Sequence, residues 1–411
     1  MKLLIIARFF PPKQGAQQIQ MWKVANALAN VGIKTIVISQ FASAGQQITN
    51  EEFLLCDNRN LKILYVPGTN YWNDSKKLPA RLKHRLTSET DAINSYSQWT
   101  RGASSLAENI IKALKPDIMM TVSTPFESHM AGLLVRRKFN IPWIAFFSDP
   151  WPKNPPPYNS REILFFSKYK LFLLRKCFQN CDSILATNKI QIKFMQQSSG
   201  IDISSHSYIV PHIGDQSQIE INSNPRNVLT HTGFLSKERT SKALLTAIKS
   251  NAENPQIAFD GLVQVGNVSS EFLKLVNENR IMHCVKFIDV VRPNEANLLA
   301  RESKVLLVIE ADMEESPYLP SKFADYAMTG RSILAITPKI STVRNYLERF
   351  GGGIAVTNNE LEIDKALKRL FLQNEEFCNL NLAYQFSPTT VASKYLDVFE
   401  EVIHKKQIYG N

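Results

Sequence analysis

The sequence predicts an α/β protein built from two doubly wound parallel sheets, one in each half of a 411-residue chain. Short runs rich in β-branched and apolar residues alternate with stretches of helical period, the pattern of parallel strands joined by crossover helices. The length and the 44% hydrophobic content supply more than one core. Between residues 211 and 225, "PHIGDQSQIEINSNP", apolar periodicity gives way to Asn, Ser, Gly and Pro, the composition of a linker.

In the first half, strands are expected at Leu3–Ala7, Thr35–Gln40, Ile63–Val66, Asp117–Val122, Trp143–Ser148, Ser183–Thr187 and Tyr208–Val210. Helices are expected between them at Gln17–Asn30, Ala103–Leu114 and Ser128–Phe139. The second half repeats the alternation, with strands at Val228–Thr232, Leu262–Val265, Val285–Val290, Val305–Ile309, Ser332–Ile336 and Ile354–Val356. Its helices are expected at Lys242–Ser250, Glu271–Asn279, Asn294–Ala300 and Lys322–Met328. After a turn at Ser387–Pro388, Val391, Tyr395, Val398, Phe399 and Ile403 form an apolar stripe at helical spacing, a last helix.

Composition narrows the function. No apolar run approaches a membrane span, and Leu3–Ala7 reads as a buried strand rather than a signal core. Five scattered cysteines form neither a disulfide framework nor a zinc-spaced set, so a reducing, cytoplasmic compartment without a metal site is expected. A net charge of +11 points to an anionic partner: nucleotide phosphates, a lipid surface or nucleic acid. No nucleic-acid recognition motif accompanies the charge, so nucleic acid is set aside. Two basic segments interleave cations with apolar residues. In "KKLPARLKHRL" (76–86), Leu78, Leu82 and Leu86 recur every four residues. "REILFFSKYKLFLLRKCF" (161–178) carries Ile163, Phe165, Phe166, Tyr169, Leu171, Phe172, Leu174 and Phe178 among five Lys or Arg. Such segments either pack in the core or lie on an anionic membrane surface.

The stretch "ESPYLPSKFADYAMTGRSILAI" (315–336) concentrates the chemistry. Ser321 occupies an expected N-cap after Pro320, with Gly330 as the expected stop. Free N–H groups at that helix start together with Lys322, read as a surface cation, would suit a phosphate. Asp325, one turn on, would accept hydrogen bonds from hydroxyls such as those of a ribose. The plain alternative is a surface helix carrying an i,i+3 ion pair. A second element, "LTHTGFLSKERTSKALLTAIKS" (229–250), reads as strand, glycine turn and helix, with Gly233 at the turn and Lys237 and Arg239 in the loop. Ligands of open α/β sheets sit at the carboxyl ends of strands, where this loop lies, and an arginine can hold a diphosphate through two parallel bonds.

These motifs resemble glycosyltransferase family 4. "HTGFLSKER", "VKFIDVVRPNEANLLARESKVLLVI", "SPYLPSKFADYAMTGRSILAI" and "GGGIAV" follow the family in order, and "FFPPKQGAQQIQMWKVANALANVGIKTIVIS" resembles its opening strand, glycine loop and helix. "TPFESHMAGLLVRRKFNIPWIAFFSDPW" resembles a subgroup that makes bacterial surface polysaccharides such as O-antigen and capsule. The resemblance implies a GT-B fold, two Rossmann-like domains facing across a cleft. An acceptor-side domain of residues 1–212 would be completed by helix 388–406, and a donor-binding domain would span 213–387. It implies a retaining, metal-independent transferase of hexosyl or N-acetylhexosaminyl type, with no cofactor, whose donor is a nucleotide diphosphate sugar with UDP as the expected carrier. A lipid-linked or oligosaccharide acceptor would place it on the inner face of the plasma membrane.

Carried over residue by residue, the family pattern puts Gly15 and Ala16 in the opening loop, Gly233 at the donor turn, and Arg239, Ser321, Lys322 and Asp325 around the nucleotide. Three departures stand out. The family's paired acids are a Glu, seven residues, and a second Glu; the second aligns with Asp325, the first with Pro317. Backbone at Ser316–Leu319, Glu310 or Glu315 is left to replace it. The family's Arg after the loop glycine is Phe234, so Arg239 and Lys322 are expected to bind the diphosphate. Ala16 replaces a second loop glycine. On the acceptor side, Asp149 is the expected contact to sugar or acceptor hydroxyl and Trp151 a stacking platform, unless Asp149–Pro150 only opens a loop. Glu127 and His129 follow a strand end; His129 fits a helix-start hydrogen bond as well as an active site. A catalytically silent nucleotide-sugar-binding or scaffold subunit is the alternative that Pro317 favours. A nucleotide-sugar 2-epimerase is the enzyme alternative; it would want acids and histidines for proton abstraction, which "PSKFADY" fits poorly.

Overall fold

The computed structural model describes residues 1–11, 15–40, 58–67, 98–123, 125–151, 164–215, 224–373, 377 and 379–409. The chain forms two compact units, Met1–Pro211 with Val391–Asn411, and His212–Thr390.

The first unit contains β1 (Lys2–Ile6), α1 (Ala16–Asn30), β2 (Lys34–Gln40), β3 (Leu61–Val66), α2 (Gln98–Leu114), β4 (Ile118–Ser123) and α3 (Glu127–Arg136). These are followed by β5 (Trp143–Phe147), α4 (Leu164–Asn180), β6 (Ser183–Ala186), α5 (Lys189–Ser199) and β7 (Ser207–Ile209). The seven strands lie parallel in the order β3-β2-β1-β4-β5-β6-β7, so the winding reverses between β1 and β4. Ile5 lies opposite Val37 on one side and Met120 on the other. Helices cover both faces, which is why β4 and β5 are buried along their whole length. The C-terminal helix (Pro388–Tyr409) closes this unit. Its stripe of Val391, Tyr395, Val398 and Phe399 is buried, the Tyr395 ring meets Phe146 edge-on, Glu401 accepts from the Tyr208 hydroxyl at 2.6 Å, and Lys406 pairs with Asp182 at 2.7 Å.

Along α4 the described side chains divide. Leu173, Leu174, Cys177 and Phe178 enter the core, whereas Phe172 is 48% exposed with the Lys176 ammonium 4.6 Å from its ring centre. Ile163, the side chains of Phe165 and Phe166, and all of 76–86 lie outside the described residues. Among the described residues no helix is long and apolar enough to cross a membrane.

The second unit runs β8 (Arg226–Thr232), α6 (Lys242–Ala252), β9 (Leu262–Val265), α7 (Ser270–Glu278), β10 (Val285–Ile288), α8 (Pro293–Arg301), β11 (Ser303–Ile309) and β12 (Glu315–Ser316). It continues with α9 (Ser321–Ala327), β13 (Ser332–Ile336), β14 (Ile340–Ser341), α10 (Thr342–Phe350), β15 (Gly353–Val356), α11 (Glu360–Leu367) and α12 (Leu380–Phe386). Six parallel strands are ordered β10-β9-β8-β11-β13-β15, reversing between β8 and β11. Ser241, Ser269, Ser341 and Asn359 cap α6, α7, α10 and α11 by accepting N–H bonds from the first turns.

Two sequence expectations are corrected here. Ser321 is the first helical residue of α9 rather than its cap: Pro320 holds the cap position without a side-chain bond, and the helix ends at Ala327, short of Gly330. Seven residues give that helix little free N-terminus to offer an anion. The expected linker also begins inside the second unit's packing. The Gly214 N–H donates to the Phe386 carbonyl at 2.8 Å, and a Cβ at Gly214 would collide with the Ala324 carbonyl.

Candidate functional site

The carboxyl ends of β8 and β9, beside the winding reversal, are shaped by two glycines. Gly233 has φ +94° and Gly266 φ +100°, conformations that side chains rarely adopt. The Gly233 N–H donates to the Val265 carbonyl at 2.7 Å, and a Cβ on Gly266 would lie 3.3 Å from the Gly233 carbonyl. The two turns therefore rest on one another, leaving Gly233 exposed at the strand end.

From the other side of the reversal, α9 grips the same peptide. Lys322 and Tyr326 are one turn apart and share a face. The Lys322 ammonium donates to the Thr232 carbonyl, while the Tyr326 oxygen accepts the Thr232 N–H at 2.9 Å. Burial holds the Tyr326 phenol up at about 12, so it stays neutral. The ammonium also reaches His231 Nε2 at 2.8 Å. Burial, and then the nearby Arg239 guanidinium, bring the Lys322 pKa down to about 7. The expectation of Lys322 as a surface cation is thus corrected: it is half-buried and bonded at the strand end.

Arg239 ends a short 3-10 turn, Lys237–Arg239, that follows the glycine. It is close enough to act electrostatically on Lys322, His231 and Glu310. Among the described residues no carboxylate forms an ion pair with Lys322 or Arg239, and the two basic groups are near enough to repel. Lys237 turns away to Glu271 at 3.8 Å, and Phe234 is 56% exposed.

Glu310, just past β11, is 7% exposed. Its two carboxylate oxygens accept from the hydroxyls of Ser316 at 2.6 Å and Ser341 at 2.5 Å. Those serines face each other across the β12–β14 bridge, so Glu310 fastens the segment in which Pro317 stands. Burial raises its pKa, opposed by both serines and by Arg239 and Arg344. Glu315 forms the first residue of that bridge. Asp325 Oδ1 accepts the Asp215 N–H at 2.9 Å, tying the start of this unit to α9.

In the first unit, Gly15 precedes α1 and Ala16 opens it. Glu127 forms a buried ion pair with Arg8, which follows β1; the Arg8 Nε donates to Gln40 at 2.7 Å, and its N–H to Ser128 at 3.1 Å. His129 is 1% exposed, 2.7 Å from the Thr121 hydroxyl and against the Phe126 and Phe147 rings; burial lowers its pKa to about 3. Trp151 is 2% exposed and stacks on Phe126 at 4.0 Å. Asp149 lies just beyond β5. The geometry gathers Glu127 and Arg8 at the first sheet's winding reversal, and sets His129 and Trp151 in the core beside it.

Among the described residues one group offers metal-type ligands, Glu253, His283 and Cys284. His283 and Cys284 lie just before the edge strand β10, and Glu253 just after α6.

No protein-family model and no curated protein sequence matches the chain. Solved structures do. Anabaena HepE in complex with UDP-glucose aligns over 99% of this chain and 100% of its own, with a TM-score of 0.61 at 12% identity. The structure of TarM aligns over 97% and 98%, TM-score 0.65 at 9% identity. WaaB, a lipopolysaccharide outer core galactosyltransferase, aligns over 98% and 99%, TM-score 0.61 at 12% identity. The fold is that of the GT-B glycosyltransferases. Within this GT-B chain, sequence reasoning found Gly233, Arg239 and Lys322 but passed over His231 and Gln264. Gln264 interrupts the otherwise apolar β9, but His231 lies among the polar residues of β8, and only the cross-strand register pairs the two.

Proposed function

We infer that this chain is a retaining glycosyltransferase related to family 4, moving a sugar from a UDP-linked donor to a lipid-linked or glycan acceptor in the assembly of a bacterial surface polysaccharide. The observation that carries the reading is that Lys322, bonded to His231 and Thr232, reaches the glycine turn ending β8 with Arg239 close enough to act on it. Departure of a nucleoside diphosphate builds negative charge on its β-phosphate, and fixed cations placed there lower the barrier directly. The leaving phosphate accepts the acceptor's proton, so no separate base is required. Asp325 is the ribose contact in this reading, with Asp149 and Glu127 on the acceptor side. The exposed Phe172 with Lys176 beside it marks the face we assign to the anionic inner surface of the plasma membrane.

The direct test is release of UDP from a panel of UDP-sugars in the presence of polyprenyl phosphate or diphosphate-linked sugars, without added metal, followed by the anomeric configuration of the product. A retained configuration with one donor supports the reading; an inverted product refutes the retaining assignment. Pro317 supports a second reading, a nucleotide-sugar-binding subunit without turnover, because both Glu310 oxygens are already taken by serines. UDP binding with no release from any donor and acceptor would favour that second reading.

A further inference from the structure

His231 and Gln264 are directly opposed in the register of β8 and β9, and both are buried, at 1% and 0% exposure. Buried polar side chains persist when they are fully hydrogen-bonded, and here the bonds fix one arrangement. Gln264 Nε2 donates to the Gly233 carbonyl at 2.9 Å, with the Val265 and Gly266 carbonyls at 3.3 Å, which leaves its oxygen to face His231 Nδ1 at 2.8 Å. The imidazole therefore carries its proton on Nδ1. Its Nε2 lone pair is turned to Lys322, whose ammonium can only donate.

We propose that His231 is a positioning residue of the donor site: held in its Nδ1–H form by Gln264, it orients the Lys322 ammonium toward the diphosphate of the bound nucleotide. The inference rests on the donor-site reading above. Two of the three ammonium protons are taken by His231 Nε2 and the Thr232 carbonyl, so the third has one remaining direction, set by protein bonds before any ligand arrives. The groups that act electrostatically here are His231 from β8 and Arg239 from the following turn, with Asp325 and Tyr326 on the same helix as Lys322. Burial and the two neighbouring cations keep His231 neutral, as a lone-pair donor must be. Protonation of His231 would put a second cation against the ammonium.

UDP affinity measured by calorimetry tests this in wild type, His231→Phe, His231→Gln, Lys322→Met and the double variant His231→Phe with Lys322→Met. Phe keeps the ring and removes the lone pair; Gln can return an oxygen near the Nε2 position. Loss of one charge-assisted bond predicts UDP affinity about tenfold weaker in His231→Phe, largely recovered in His231→Gln, with no further loss when Lys322 is already Met. An equal loss with and without Lys322 would show that His231 acts only through folding, and unchanged affinity in His231→Phe would overturn the inference while leaving the donor site standing. In the free protein, the ¹⁵N resonance of His231 Nε2 should lie in the range of a hydrogen-bonded unprotonated nitrogen and move in Lys322→Met. A protonated Nε2 would refute the bond without reference to nucleotide. No UDP binding by wild type would refute the donor-site reading, and with it the role given to His231.

Discussion

Lys322 sits near the midpoint of its titration at neutral pH, because burial and Arg239 bring its pKa to about 7 from an ordinary value above 10. The unfolded chain therefore holds more protons at this position between about pH 7 and pH 10, and stability must rise with pH across that window. The cost of carrying the ammonium is full below about pH 7. Lys322→Met should accordingly raise the melting temperature, more at about pH 6 than at about pH 9, while weakening UDP binding. A diphosphate has the opposite effect on the ammonium and pulls its pKa upward. UDP affinity should fall as pH is raised above about 7, with proton uptake on binding visible as a buffer-dependent calorimetric enthalpy. Glu310 makes a different prediction. Glu310→Ala strands the Ser316 and Ser341 hydroxyls in the interior and should cost about 1–3 kcal/mol in denaturant unfolding. Glu310→Gln should lose less, since serine hydroxyls can reverse donor and acceptor roles. Arg239 was legible from the loop after a glycine turn and Lys322 from the helix start after Pro320, although Lys322 was read as a surface cation. His231 and Gln264 were not, because only their cross-strand register brings them together.

At the scale of elements, the site is a clasp between the end of β8 and the face of α9. Tyr326 and Lys322 take the N–H and the carbonyl of Thr232, so a single residue of β8 is held at both ends by one helical turn. Gly233 must then turn with positive φ, and a Cβ there would approach Lys322 Nζ to 3.4 Å. Gly233→Ala should destabilise the second unit by about 1–2 kcal/mol and weaken UDP binding through crowding of the ammonium. Melting curves and titration of the same variant check both halves of this statement. Strand and helix positions were largely readable, since β4, β5, β11 and β13 are buried runs of β-branched and apolar residues bounded by polar turns. The start of α9 was misread because Ser after Pro imitates a cap, while the chain used the proline position instead. Helix α5 was passed over although Asn188 caps it and Gly200 ends it with φ +70°, because its polar residues masked the buried Gln191 and Met195.

At the scale of the molecule, the alternation of strands and helices was enough to read two parallel α/β sheets, and their winding reversals mark where ligands of such sheets sit. The last helix joins the first unit although it follows the second in sequence. Its Val391, Tyr395 and Phe399 are fully buried, and their loss would cost about 6 kcal/mol at roughly 2 kcal/mol each. That is comparable to the whole stability of a domain. A chain ending at Thr390 should therefore lose the first unit's calorimetric transition while keeping the second's. The candidate residues of the first unit were less legible than those of the second: the Arg8–Glu127 pair joins residues 119 apart in sequence, and neither lies in a motif that announces the other. The central claim, that the turn ending β8 binds a nucleoside diphosphate through Lys322, is tested most directly by titrating UDP into wild type and Lys322→Met in metal-free buffer. The account predicts metal-independent binding by wild type, weakened at least tenfold by the substitution. Equal affinity in both proteins, or none in wild type, would contradict it.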